Sequence, residues 1–339
     1  MSIAALAHLS QKRPLVVACP TGSMAGQMYD DLQQFVGPDE VALFPAWETL
    51  PFERVSPAVE TMGQRLELLW RLRSGERCPK VIVAGVRALL QKLGPEAIDV
   101  EPITIRPGAV VDPDAIAAQL VEFGYRREEI VEHRGEFARR GSIVDVYPST
   151  ADALIRIDLW GDEVDRLTTF GVNDQRSTAD LDSALIFPAR ELIPTDEVRE
   201  RAAGLVGSEP WGREQWERLA EGAHFDGMES WLPWLVDDDV MLTDVLPDTA
   251  KVVLIEPPYA RPPPICSPKR TTSLARWRAP GHAIPTRSSP GSTPTPMRCS
   301  PASDRSGPST PPPNHPTPRW WRRPVGARSA ATAAVSPTD

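Results

Sequence analysis

The sequence lacks any apolar run near the roughly 18–20 residues that a membrane-spanning helix needs. Its first residues are apolar, but Gln11, Lys12 and Arg13 follow them, the reverse of a secretory leader, where charge precedes the apolar stretch. Cysteine is scarce. Cys19, Cys78, Cys266 and Cys299 stand far apart with no CxxC pair, which argues against a disulfide framework and against a zinc site. A cytoplasmic protein with reduced thiols is expected. Catalytic signatures are missing too. The five histidines (His8, His133, His224, His282, His315) are scattered, and there is neither an HExxH helix nor a GxSxG elbow. Glu132, His133 and Glu136 do cluster, but a solvated strand end accounts for them. No catalytic residue and no metal ligand is assigned.

Acidic residues are absent from almost the whole C-terminal part. Residues 261–339 carry 12 basic and 2 acidic residues, a net of +10, and 18 of the chain's 37 prolines. Residues 1–260 carry 25 basic and 44 acidic residues, a net of −19. From about Pro258 helical and strand periodicity stop, so a disordered tail is expected over 258–339, one that cannot offset its ordering entropy by burial. A basic, proline-rich tail can touch nucleic acid. The bland reading is translation in a wrong frame, which in GC-rich coding sequence yields Pro, Arg, Ser, Thr and Ala with few acids. The abrupt change after an orderly strand favours the second.

What is present upstream is alternation. Pro14–Cys19 reads as a buried strand, and Met24, Met28, Leu32 and Phe35 follow at helical spacing. Val41–Phe44 is a second strand. Ser56-Pro57 suggests a helix N-cap with proline at the first helical position. Val59, Met62, Leu66 and Leu69 then form one apolar stripe, with Glu67 and Arg71 paired on the other side. Val81–Ala84 is a third strand and Arg87–Leu93 a short helix. This order implies a parallel sheet covered on both faces.

Residues 103–190 change character. A helix starts at Asp112-Pro113 with Ile116, Leu120 and Phe123 on one face, and four extended runs follow at Glu129–Glu132, Gly141–Tyr147, Leu154–Trp160 and Val164–Phe170. That is a small, mainly antiparallel α+β domain. It reads as an insertion, because helices resume at Thr195–Val206 and Glu214–Gly222, and a strand, Val252–Glu256, follows. The expected domains are therefore 1–102 and 191–257 for the α/β part, 103–190 for the insert, and 258–339 for the tail.

Pro20–Met28 (PTGSMAGQM) lies between a strand and a helix and superficially suggests a phosphate loop. Such a loop needs GxxxxGK[ST], so that backbone amides cradle phosphates and a lysine meets the terminal ones. Here Gln27 and Met28 follow Gly26 and supply neither charge nor hydroxyl. Val252–Glu256, a strand ending in an acid, then reads as a core strand rather than a magnesium-binding segment.

Ile155–Trp160 carries more information. Side chains alternate along a strand, so Ile155, Ile157 and Leu159 face a core while Arg156, Asp158 and Trp160 share the other face. A surface tryptophan beside an arginine is a usual anchor of protein interfaces. The alternative is that Trp160 caps the core edge and Arg156 pairs with Asp158.

Three stretches resemble one family. Leu43–Leu72 (LFPAWETLPFERVSP-x3-TMGQRLELLWRL) is similar to a signature near the start of bacterial transcription-repair coupling factors (Mfd). Gly124–Pro148 and Arg156–Ser177 resemble the domain that these share with the excision protein UvrB, and Pro188–Glu197 continues it. The resemblance covers roughly residues 14–257. It implies a degenerate helicase-like (RecA-like) α/β domain without working nucleotide motifs, carrying an inserted UvrB-type domain that binds UvrA. The family's UvrA-contacting positions match Arg140, Arg156 and Trp160, where the aromatic is more often phenylalanine.

The full-length family is an ATP-driven DNA translocase that uses ATP and magnesium and displaces stalled RNA polymerase. The domains for DNA, for RNA polymerase and for the motor are not matched in this chain, so no cofactor is assigned to it. A non-catalytic module that recruits UvrA is the leading expectation. The alternatives are a weak DNA- or nucleotide-binding helicase-like domain, and a truncated product without function.

Overall fold

The computed structural model describes residues 2–9, 13–50, 53–172, 175–236 and 240–255. The expected tail at 258–339, with Cys266, Cys299, His282 and His315, lies outside the described residues, as does Glu256.

The chain opens with α1 (Ser2–Leu9), β1 (Leu15–Cys19), α2 (Gly22–Val36), β2 (Val41–Phe44), α3 (Val59–Ser74), β3 (Val81–Gly85), α4 (Val86–Leu89) and α5 (Pro95–Ile98). β1, β2 and β3 are parallel, and β12 (Lys251–Leu254) joins them from far along the chain to give the order β12-β1-β3-β2. Alternation splits the strands between two cores. Val16, Ala18, Ile82, Ala84 and Phe44 pack with Leu66, Leu69 and Trp70 of α3. Val17, Cys19, Val81 and Val83 pack with Ala25, Leu32 and Val36 of α2. The expected parallel sheet with two covered faces is what forms.

Several local readings need correction. Phe35 is exposed, because the buried stripe of α2 runs through Ala25, Leu32 and Val36. Ser56 does not cap α3, whose N-cap is Ala58. Its hydroxyl is taken elsewhere: it donates to Glu229 Oε2 (2.6 Å) and accepts from Arg190 (2.7 Å) and from the Gly227 amide (2.9 Å). Arg71 donates to the carbonyls of Arg77 and Asp39, and its charge still acts on Glu67. The helix after β3 spans only Val86–Leu89. β12 is not a core strand. It lies at the sheet edge, with Val252 49% and Leu254 73% exposed.

The next elements are β4 (Ile103–Ile105), α6 (Pro113–Glu122), β5 (Arg126–Arg127), β6 (Glu136–Arg140), β7 (Ile143–Val146), β8 (Leu154–Trp160), β9 (Glu163–Phe170), β10 (Ser177–Asp180) and β11 (Ala184–Ile186). Strands β10-β9-β8-β7-β6-β5 form one sheet, antiparallel except where β5 runs parallel to β6, and β11 pairs antiparallel with β4. Asp112 caps α6 by accepting from the Asp114 amide, as its Asp-Pro start requires. Ile116 and Leu120 of that helix cover Phe137, Val144, Ile155, Ile157, Leu159 and Leu167.

One expected strand is absent here. Residues 129–132 are irregular, because the amides of Glu132 and His133 both donate to the Glu136 carboxylate and close a turn. The strand begins after that turn, as β6.

The remaining helices α7 (Asp196–Ser208), α8 (Arg213–Ala220) and α9 (Leu232–Leu235) surround Trp216, Leu219 and Met228. Thr195 caps α7. Trp211 and Trp231 stack at 5.3 Å, and Trp216 meets Trp231 edge-on at 4.6 Å.

Two buried contacts tie α3 to the residues around the antiparallel sheet. Arg65 bonds Glu191 through two hydrogen bonds of 2.8 and 3.0 Å, both side chains being essentially inaccessible. Gly63 lies so close to Ser149 that a Cβ there would meet the serine Cβ and Oγ at 2.6 Å.

Candidate protein-docking face

The six-stranded sheet has a second face, turned away from α6. Register fixes what it displays. Asp145 on β7 is directly opposite Arg156 on β8 and Ala138 on β6, and Arg156 is opposite Thr168 on β9. Leu154, Arg156, Asp158 and Trp160 therefore project to this side, while Ile155, Ile157 and Leu159 are buried on the other. The expected alternation holds residue by residue.

Arg156 does not pair with Asp158. Its Nε donates to Asp145 Oδ1 at 2.7 Å and a terminal nitrogen to Oδ2 at 3.0 Å, the bidentate fork that guanidinium and carboxylate favour. Its other terminal nitrogen donates to the Gln175 carbonyl at 3.1 Å. Beneath it lies the Phe170 ring, 4.5 Å from the guanidinium carbon. The hydrogen bond with Asp145 holds Arg156 protonated more firmly than an ordinary arginine.

Arg140, at the end of β6, reaches the same carboxylate and donates to Asp145 Oδ2 at 2.5 Å. Asp145 is 1% exposed, Arg156 15% and Arg140 49%. One buried carboxylate thus fixes two guanidiniums, and about half of the Arg140 side chain stays open to solvent.

The sequence alone gives no sign of Asp145. It lies in the motif that contains Arg140, but an acid on a generally acidic chain gives no signal until register places it under both arginines.

Trp160 closes β8 and is 83% exposed. It does not cap the core edge. Gly161 turns the chain with φ of +68°, a conformation that glycine adopts without a Cβ penalty. The chain then returns as β9 with Glu163 opposite Trp160. Asp158, half-buried, has its pKa raised by burial, which outweighs the opposing pull of Arg156. The three residues expected from the sequence thus lie on one face: Arg140 and Arg156 joined through Asp145, Trp160 at the hairpin tip.

The turn before α2 is built differently. Thr21 Oγ1 accepts from the Met24 amide at 3.2 Å and so caps the helix. Gln27 and Met28 lie one turn further on, where a phosphate loop would have its lysine and hydroxyl. This donor set does not fit a nucleoside triphosphate with magnesium. Among the described residues no cluster of three or more His, Cys, Asp or Glu is placed to hold a metal ion. No helix among them is long and apolar enough to cross a membrane.

The comparisons bear on this same face. Residues 103–192 match the family model of the UvrB interaction domain. The transcription-repair-coupling factor of Mycobacterium bovis is 39% identical over 269 residues, 75% of this chain and 22% of that protein. Those of Bacillus subtilis and Escherichia coli are 32% and 29% identical, over 74% and 65% of this chain. The chain is similar over about three quarters of its length to transcription-repair-coupling factors. It spans about a fifth of the length of these relatives. Arg140, Arg156, Trp160 and Asp145 all lie inside the stretch that matches the UvrB interaction domain.

Proposed function

We propose that this chain is a non-catalytic adaptor module of transcription-coupled nucleotide excision repair, and that the outer face of β6–β9 docks UvrA. Arg140 offers charge-assisted hydrogen bonds to partner carboxylates. Trp160 supplies the buried aromatic anchor on binding. Arg156 acts mainly by holding Asp145, and through it Arg140, in place.

The observation that carries this reading is the juxtaposition. An 83% exposed tryptophan and a half-exposed arginine share one sheet face, within the segment that matches the UvrB interaction domain. The parallel sheet β12-β1-β3-β2 is read as the degenerate helicase-like (RecA-like) part. Its β1–α2 turn lacks the cation that nucleotide chemistry requires. DNA translocation, ATP hydrolysis and RNA polymerase displacement are read as properties of the longer relatives.

The test is capture of purified UvrA on the immobilised chain. Arg140→Ala and Trp160→Ala should each reduce retention at unchanged thermal melting. Equal retention by both variants would remove the face from the account.

A further inference from the structure

Trp160 does not stand in an apolar setting. Its cross-strand neighbour is Glu163, and Asp158 lies two residues before it on the same face. Asp162 forms the turn beside it, and Asp165 follows at the register shift between β8 and β9. The cation directly opposite Asp158, Arg166, is engaged by Asp180 at 2.7 Å. Among the described residues the arginines that lie over aromatic rings sit on Phe44, Trp47, Tyr147, Phe170 and Phe225, and none on Trp160. The hairpin tip is thus an open indole face beside carboxylates.

We infer that Trp160 and Glu163 together form a seat for a cationic side chain of the docked protein, an arginine or a lysine. The inference rests on the UvrA-docking reading and specifies the chemistry at one end of that face.

Had Trp160 entered a purely apolar pocket, Glu163 and Asp158 would lose water with no compensating charge, and desolvating an unpaired carboxylate is strongly unfavourable. Burial has already raised the pKa of Asp158. A guanidinium over the indole meets both demands. It stacks on the ring that binds cations best among the aromatic side chains, and it pairs with the adjacent carboxylate. Arg140, opposite Ile143, stands in the same cross-strand row as Asp158, so this end of the face sets Arg140 for a partner acid beside a Trp160 tip for a partner base. Such an arrangement fixes register and rejects partners docked the wrong way round.

The test is a titration of UvrA into the full 339-residue chain, with Trp160→Phe, Trp160→Leu and Glu163→Gln, at low and moderate salt. These side chains are exposed, so folding should be retained, and circular dichroism checks it. Affinity should fall modestly for Trp160→Phe and about tenfold or more for Trp160→Leu. Glu163→Gln should weaken binding about fivefold at low salt and less at moderate salt. Unchanged or tighter binding by Glu163→Gln would overturn the inference and leave the docking reading standing, because an apolar pocket gains when the carboxylate is removed. No binding by the unaltered chain would overturn both.

Discussion

Asp145 and Arg156 face each other across β7 and β8 and are joined by two hydrogen bonds of 2.7 and 3.0 Å. The same carboxylate takes Arg140 at 2.5 Å. An interface arginine is ordinarily a mobile side chain that loses rotamer freedom on binding, at about 0.5–1.5 kcal/mol each. Here much of that ordering is complete before a partner arrives. Asp145→Ala removes the shared anchor and leaves Arg156 mostly buried without its partner. A loss of about 2–4 kcal/mol in urea unfolding is expected, with UvrA affinity falling beyond any change in the folded fraction.

Arg65 and Glu191 form the second critical pair. Besides Glu191, Arg65 bonds the Pro45 carbonyl and Gln91, and Trp47 Nε1 donates to Glu191 at 2.7 Å. Removing one charge strands the other in the interior. Glu191→Gln should lower stability by about 3–5 kcal/mol, read from chemical unfolding.

Gly63 marks where α3 meets Ser149. Its φ is ordinary, so the constraint is space, a Cβ being placed 2.6 Å from the serine side chain. Gly63→Ala should cost about 1–3 kcal/mol by overpacking despite the better helix propensity of alanine. A Ser149→Gly background should return part of the loss.

His224 should make stability depend on pH. Burial, and then the charge of Arg190, push its imidazole below the ordinary histidine pKa of 6.5. The unfolded chain therefore takes up the proton first. The contribution of His224 is complete above about pH 6.5 and is lost as pH falls through the lowered folded-state pKa. The urea midpoint should drop between pH 7.5 and 5, and His224→Gln should narrow that drop.

Legibility in the sequence followed the physics of each signal. Strands β1, β2, β3, β8 and β9 were visible because burial on one or both faces writes an apolar or alternating pattern. β6 was hidden by its own arginines and by the turn that Glu136 closes, and Glu129–Glu132 mimicked a strand instead. Ser56 carried the local signature of a cap, but long-range partners, Arg190 and Glu229, took its hydroxyl. Val252 and Leu254 read as core because their neighbourhood is not written in their composition. The docking face divides the same way. Period-two alternation placed Arg156 and Trp160 together, and the family resemblance added Arg140. Asp145 needed the β7–β8 register.

The most direct test of the central claim is calorimetric titration of UvrA into the unaltered chain and into an Arg140→Ala/Trp160→Ala variant of equal thermal stability. The account predicts micromolar or tighter binding, about −8 kcal/mol, by the first and none measurable by the second. Binding of equal strength by both, or none by a folded unaltered chain, would contradict it.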